Sequence, residues 1–132
     1  MADAINQDGT PNSVEHPAVS GTVVTVYVTG LGALTPSAVD GAPGDGIAVP
    51  RIGPVYVQGD YLDSTVTPVT VSGRTNAVVA VQFAVPVVSA SSGTMPIRLS
   101  FSSPDPYSTN PWFSADPYGI APLPFSFIYI RP

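Results

Sequence analysis

The stretch TVVTVYVTGLGAL, residues 22–34, joins a run of strand-forming residues to a Gly-x-Gly turn. Valine occupies every second position at Val24, Val26 and Val28, and this period of two predicts a β-strand over residues 21–29. A strand that runs into Gly30 and Gly32 begins many dinucleotide-binding units, but such turns also end many strands of β-sandwiches. The residues that follow decide between these two folds.

The dinucleotide-binding interpretation needs more than two glycines. It requires a third glycine three residues after the second, and then a helix whose N-terminus holds the pyrophosphate. In this chain Gly32 is followed by Ala-Leu-Thr-Pro and by further turn residues, so no helix is expected there. Glycine adopts positive φ at little cost, and this property at a strand exit explains Gly30 and Gly32 better.

The composition favours strands throughout the chain. The 132 residues include 16 Pro, 12 Gly and only 13 charged residues, with no Lys and one Glu, whereas Val and Thr are abundant. High Pro and Gly content also occurs in disordered chains, but those are poor in aliphatic residues, and this chain is 44% hydrophobic. Its length allows one hydrophobic core. The prediction is a folded, all-β domain.

Further strands are predicted where apolar residues run or alternate between turn signals. They cover residues 54–61, 65–73, 77–86, 94–103 and 124–130, with a short edge strand near 47–49. Pro68 lacks a backbone donor and should interrupt the second run. The pattern predicts an immunoglobulin-like Greek-key β-sandwich of about seven strands, with residues 1–20 as an N-terminal arm and residues 21–132 as a single domain.

Two of these runs also indicate which side chains are buried. Alternation within 94–103 predicts that one face of the strand points into the core, and this face carries Met95, Ile97, Leu99 and Phe101. Residues 77–86 are apolar on both faces, as expected of a strand that is covered on both sides.

The charge balance excludes several classes of partner. The net charge of −5 argues against nucleic acid and anionic lipid, because both are bound through basic surfaces.

No run of about 18 apolar residues is present, so no membrane span is expected, and the first nine residues do not resemble a signal peptide. The chain has no cysteine, which excludes disulfides and thiolate metal sites.

Catalytic patterns are scarce. The single histidine, His16, precedes a proline in the polar N-terminal segment, and no Gly-x-Ser-x-Gly motif occurs. The aspartates that could pair for acid–base chemistry are Asp40 with Asp45, Asp60 with Asp63, and Asp105 with Asp116. Each pair lies in a turn, where aspartate usually bonds to its own backbone. The protein is therefore not expected to be an enzyme.

Calcium is the one cofactor for which the sequence offers ligands. Asp3, Asn6 and Asp8, followed by Gly9, have roughly the oxygen spacing of a calcium loop. The bidentate glutamate that closes such a loop is absent, however. The stretch DGAPGDG, residues 40–46, is a second cluster of carboxylates and carbonyls. Calcium at either place is an alternative to ordinary turn chemistry.

One segment before the last strand is longer than a hairpin turn requires. Residues 104–124 contain six prolines and four aromatic residues, which are Tyr107, Trp112, Phe113 and Tyr118. A loop of about 20 residues is uncommon inside a compact domain and is often functional. The rings can stack on a polysaccharide or anchor a protein partner. The alternative is that they fold back over one end of the sandwich.

Several stretches together resemble a known family. AINQDGTPNS (4–13), HPAVSGTVVTVYVTGLGAL (16–34), DGAPGDG (40–46) and VVAVQFAVP (78–86) resemble the Solibacter-type C-terminal domain of large exported acidobacterial proteins. The resemblance covers residues 4–46 well and 77–102 in part. Residues 50–76 depart from it, and residues 103–124 look like an insertion. The resemblance implies an immunoglobulin-like sandwich outside the bacterial cytoplasm, and it supplies no catalytic residues.

The sequence thus predicts a non-catalytic module at the bacterial cell surface or outside the cell. Its expected partner is another protein or a second copy of itself, contacted through strands or loops, because a loose N-terminal arm favours strand exchange. The alternative is a carbohydrate-binding module that uses the four aromatic residues.

The carbohydrate-binding alternative predicts a change in the fluorescence of Trp112, the single tryptophan, when plant or bacterial polysaccharide is added. Tyr118→Ala leaves the reporter in place and should weaken such binding by about 1 kcal/mol or more. An emission spectrum that stays unchanged at the highest polysaccharide concentration would count against this alternative.

Overall fold

The computed structural model describes residues 3–51, 55–59, 62–87, 93–101 and 126–132. Within these ranges the chain forms β-strands and no helix, which confirms the all-β prediction; consequently no helix here is long and apolar enough to cross a membrane. In chain order the strands are β1 (Ala4–Asn6), β2 (Ala18–Val19), β3 (Val23–Thr29), β4 (Leu34–Thr35), β5 (Val49–Pro50), β6 (Val55–Gly59), β7 (Leu62–Val66), β8 (Val69–Thr70), β9 (Val78–Ala84), β10 (Gly93–Phe101) and β11 (Ser126–Arg131).

The valine stretch forms β3, an inner strand of a four-stranded antiparallel sheet with the order β1-β3-β9-β8. β3 pairs with β9 along all seven of its residues. Val24 and Val26 are buried, and Val23 on the opposite face is exposed. The period of two in the sequence therefore corresponds to one covered face and one open face.

The second large sheet has five strands in the order β2-β11-β10-β6-β7. Its pairings are antiparallel except between β2 and β11, which run parallel with Ala18 opposite Ile130. A small third sheet pairs β4 with β5. The edge strand expected near residues 47–49 corresponds to β5, and its partner β4 follows the Gly30–Gly32 turn directly.

One hydrophobic core takes side chains from both large sheets. Its principal members are Val24, Val26, Val81 and Phe83 from the four-stranded sheet, and Val57, Met95, Ile97, Ile128 and Ile130 from the five-stranded sheet. Burying one such side chain contributes roughly 1.5–3 kcal/mol, so this cluster is the main attraction between the sheets. The prediction for Met95 and Ile97 is confirmed, whereas the side chains of Leu99 and Phe101 lie outside the described part.

β9 differs from its sequence interpretation. Val79, Val81 and Phe83 are buried, but Gln82 and Ala84 on the other face are exposed. The strand is therefore covered on one side, although its alanines give it an apolar appearance on both. Alanine is small enough to occupy either environment, and for this reason it misleads a periodicity argument.

Residues 1–20, predicted to form an arm, contain two strands within the described part. β1 pairs antiparallel with β3 in one sheet, and β2 pairs parallel with β11 in the other. Ala4 and Ala18 are buried in the shared core. Strands of three and two residues are too short to show a hydrophobic period, so the sequence pattern did not reveal them.

The chain crosses from the five-stranded sheet to the four-stranded sheet between β7 and β8. Pro68 lies in this crossing and is fully buried. Because proline cannot donate a ladder hydrogen bond, it separates the two strands, and the predicted interruption of the 65–73 run is confirmed.

Gly44 makes a close backbone contact between two loops. Its N–H donates to the carbonyl of Arg74 (2.7 Å), and it forms a bridge with Ser72. A Cβ atom on Gly44 would lie 2.5 Å from the carbonyl oxygen of Val71. Glycine is therefore required here for steric reasons, and the contact holds the 40–46 loop against the segment after β8.

We expect Gly44→Ala to lower the free energy of unfolding by about 1–3 kcal/mol, because the added methyl group forces the backbone at Val71 to move. Gly93→Ala is the matched control, since no heavy atom lies within 4 Å of its ideal Cβ position. That change should stay within about 0.5 kcal/mol of the wild type. Urea unfolding followed by circular dichroism measures both, and equal stabilities would contradict the steric explanation.

Candidate functional site

A cleft of about 600 Å³ opens beside the Gly30–Gly32 turn. Its lining comes from three parts of the chain: the connection after β3, Arg51 after β5, and residues 76–79 at the start of β9. Gly30 and Gly32 adopt φ angles of 82° and 78°, and no heavy atom lies within 4 Å of either ideal Cβ position. The turn therefore exposes bare backbone to the cleft, in agreement with the strand-exit interpretation.

The floor of the cleft is apolar. Leu31 and Val79 line it, and both are buried in a second hydrophobic cluster with Val55. Val28, Leu34 and Val66 pack against the same cluster. This small core fixes the turn after β3, so the floor belongs to the folded domain and not to a free loop.

Arg51 fixes one wall of the cleft. Its backbone N–H donates to the carbonyl of Ala33 (2.8 Å), and its side-chain Nε donates to the carbonyl of Leu34 (3.3 Å). One terminal nitrogen of the same guanidinium donates to Oγ of Ser37 (3.2 Å). Arg51 thus bonds to both sides of the β4 strand, and its exposed side chain lines the cleft.

Asn76 fixes the other end of the same connection. Its side-chain amide donates to the carbonyl of Val39, and its backbone N–H donates to the carbonyl of Ala42 (2.8 Å). Asn76 is 8% exposed. Arg51 and Asn76 thus hold the connection at its two ends, and sequence reasoning identified neither. The three segments meet only in the folded chain, and no local pattern signals such a meeting.

The three residues proposed as calcium ligands have protein partners in the structure. Oδ2 of Asp3 forms an ion pair with Arg74 (3.3 Å), and that guanidinium also stacks on Tyr27, 4.0 Å from the ring centre. Oδ1 of Asp8 accepts hydrogen bonds from the Thr10 hydroxyl (2.6 Å) and N–H (2.9 Å). These bonds lower the pKa of Asp8 below its ordinary value.

Asn6 belongs to a buried amide network with Asn12. The amide nitrogen of Asn12 donates to Oδ1 of Asn6 (3.0 Å) and to the carbonyl of Tyr129 (2.8 Å), and its oxygen accepts from the Tyr129 N–H (2.7 Å). Asn6 itself donates to Thr10 (3.1 Å) and to the carbonyl of His16 (2.8 Å). The Asn and Asp spacing that suggested calcium therefore serves a hydrogen-bonded turn, and calcium there stays a prediction.

Asp45 organises the second candidate loop, residues 40–46. Its Oδ1 accepts hydrogen bonds from the N–H groups of Ile47 and Ala48 and from the hydroxyl of Thr70, each at 2.8 Å. The bonds from Ala48, Ile47 and Thr70, in that order, lower the pKa of Asp45 to about 2. The carboxylate thus attaches the loop to β8.

Among the remaining candidates, His16 is the one whose side chain lies in the described part of the chain. His16 is exposed, and its backbone N–H donates to Oγ of Ser13 (3.1 Å). Tyr107, Trp112, Phe113 and Tyr118 lie outside the described residues, as do the side chains of Asp60, Asp63, Asp105 and Asp116. In the part of the chain that is described, no three His, Asp or Glu side chains cluster at metal-binding distance.

Comparison with known proteins returned no match to this chain among protein-family models, among curated proteins or among solved structures.

We expect Asp45→Asn to lower the melting temperature at pH 7, because a neutral amide accepts the three hydrogen bonds less strongly than a carboxylate. Folding lowers the pKa of Asp45 from its ordinary 3.8 to about 2. Its stabilising contribution is therefore present above pH 3.8 and is lost as the pH falls towards 2.

The melting temperature of the wild type should accordingly approach that of Asp45→Asn over this acidic window. Asp40→Asn removes an equal charge from the same loop and is the control. A difference between wild type and Asp45→Asn that stays constant from pH 7 to pH 2 would contradict the proposed role of the carboxylate.

Proposed function

We propose that the protein is a non-catalytic, immunoglobulin-like interaction module that acts outside the bacterial cytoplasm and self-associates by exchanging its N-terminal segment. The strand orders support the immunoglobulin-like part of this proposal. Such domains place strands A-B-E-D in one sheet and G-F-C, extended by C′, in the other. The order β1-β3-β9-β8 corresponds to the first set, and β11-β10-β6-β7 corresponds to the second.

The observation that carries self-association is the division of residues 3–20 between the two large sheets. This segment supplies β1 at the edge of one sheet and β2 at the edge of the other. The pairings are short, since β1 aligns three residues with β3 and β2 aligns two with β11. A terminal segment that completes two sheet edges through short ladders is suited to exchange with an identical chain.

Side-chain contacts make the exchange specific. Ala4 and Ala18 enter the shared core, and Asn12 bonds to the backbone of Tyr129 on the last strand. A copy of the segment from a second chain would make the same contacts, so exchange conserves their energy and loses only the entropy of association. These groups would also reject a segment of different sequence, because the buried amide of Asn12 needs its partners.

The aromatic residues offer a second means of contact. Tyr107, Trp112, Phe113 and Tyr118 follow β10 and precede β11 in the sequence, which is the position of the F–G loop in immunoglobulin-like domains. Loops at this position often bind partners, and exposed Trp and Tyr are frequent anchors. The polysaccharide alternative uses these same residues. The extracytoplasmic location rests on the resemblance of residues 4–46 to the Solibacter-type C-terminal domain.

Segment exchange is tested with two chains that each carry one cysteine, since the wild type has none. Ile5 lies opposite Thr25 across the β1–β3 ladder. Cα atoms at such positions are about 4.5–5.5 Å apart, which a disulfide can span. A chain carrying Ile5→Cys is refolded together with a larger, tagged chain carrying Thr25→Cys, and the mixture is then oxidised. Exchange predicts a disulfide-linked heterodimer on a non-reducing gel.

The control pair replaces Thr25→Cys by Gln82→Cys, because Gln82 is exposed and lies opposite Thr25 on the far side of β3 from Ile5. Chance collisions would link both pairs, whereas exchange brings only residues 5 and 25 together. Equal yields from the two pairs, or a protein that remains monomeric by light scattering after refolding at high concentration, would refute self-association by exchange.

A further inference from the structure

The cleft beside the Gly30–Gly32 turn places the positive charge of Arg51 next to an apolar floor. The Arg51 guanidinium has five N–H groups, and the bonds to Leu34 and Ser37 use two of them. Among the described residues the one ion pair joins Arg74 to Asp3, so Arg51 has no carboxylate of this part of the chain beside it. An arginine held in this way can bind a carboxylate that enters the cleft.

A negative charge lines the same cleft. Asp40 contributes to the lining, yet it is not within ion-pair distance of Arg51. Because the charges of Arg51 and Asp40 do not pair with each other, they are complementary to a ligand that carries one negative and one positive charge. Asp40 also disfavours a ligand with two negative charges, such as a phosphate monoester, because the carboxylate would repel the second charge.

The size and floor of the cleft restrict the ligand further. A volume of about 600 Å³ is within the range of small-molecule sites. The apolar floor formed by Leu31 and Val79 suits a short aliphatic group. Hydrogen bonds from Arg51 and Asn76 hold the surrounding connection in place, so binding does not have to order it.

We propose that this cleft binds a small zwitterionic molecule with an aliphatic body, of the class of the aliphatic amino acids. Its carboxylate contacts the Arg51 guanidinium, its ammonium group lies towards Asp40, and its aliphatic side chain contacts Leu31 and Val79. This site is separate from the residues that exchange between chains, and it is present in the monomer.

The test uses glycine amide signals in a ¹H–¹⁵N NMR spectrum of the monomer, because Gly30, Gly32 and Gly41 all line the cleft. Titration with L-leucine should shift these three signals with a Kd on the order of 1 mM, whereas those of Gly9 and Gly73 should stay in place. 4-Methylpentanoate lacks the ammonium group and should bind more weakly. Isoamylamine lacks the carboxylate and should produce no saturable shift.

Two variants probe the site in different ways. Arg51→Gln removes the charge and should weaken L-leucine binding by about tenfold or more. Ala38→Phe fills the cleft from an exposed lining position, leaves every charge in place, and should abolish the shifts. Arg131→Gln removes a charge that does not line this cleft and should bind L-leucine as the wild type does.

Three results would overturn the proposal. The first is the absence of saturable shifts at the cleft glycines with L-leucine. The second is equal affinity for L-leucine in the wild type and in a folded Arg51→Gln or Ala38→Phe variant. The third is binding of isoamylamine as tight as that of L-leucine, which would show that Arg51 does not hold a carboxylate.

Discussion

The two hydrogen bonds between the Asn12 side chain and the backbone of Tyr129 determine how the ends of the chain fit together. The amide binds both the N–H and the carbonyl of one residue on β11, as a neighbouring strand would do. Six residues after Asn12, β2 pairs with the same edge of β11, where Ala18 lies opposite Ile130. Since Asn12 also bonds to Asn6, the last residue of β1, one side chain sets the position of the first segment against both large sheets.

Because the Asn12 amide is buried, its hydrogen bonds allow little variation in the position of the N-terminal segment. Asn12 is 2% exposed, so an amide group left without partners there would cost roughly 1–3 kcal/mol. Within the described residues every buried side-chain nitrogen and oxygen has a hydrogen-bond partner. A buried network that is complete in this way favours one register of the N-terminal segment over its neighbours. The network also gives a physical reason for the polar residues of the stretch 4–13.

Sequence reasoning succeeded where a strand was long enough to repeat its pattern. The valine period predicted β3, the alternation over 94–103 predicted the burial of Met95 and Ile97, and Pro68 marked a real interruption. The sequence pattern did not predict β1 and β2, because strands of three and two residues are too short to define a period. The cleft could not be predicted from the sequence for a different reason. Arg51 and Asn76 are 25 residues apart in the sequence, and only the tertiary fold brings both to the connection after β3.

The parallel pairing of β2 with β11 has a mechanical consequence. The chain's first segment and its last strand run in the same direction along one sheet edge. When the two ends of this chain are pulled apart, β2 and β11 are therefore drawn in opposite directions along their common axis. The hydrogen bonds between them, together with those of Asn12, are then loaded in shear and must break together, whereas a terminal antiparallel pair would unzip bond by bond. A ladder of only two residues thus resists tension along the chain better than its length suggests.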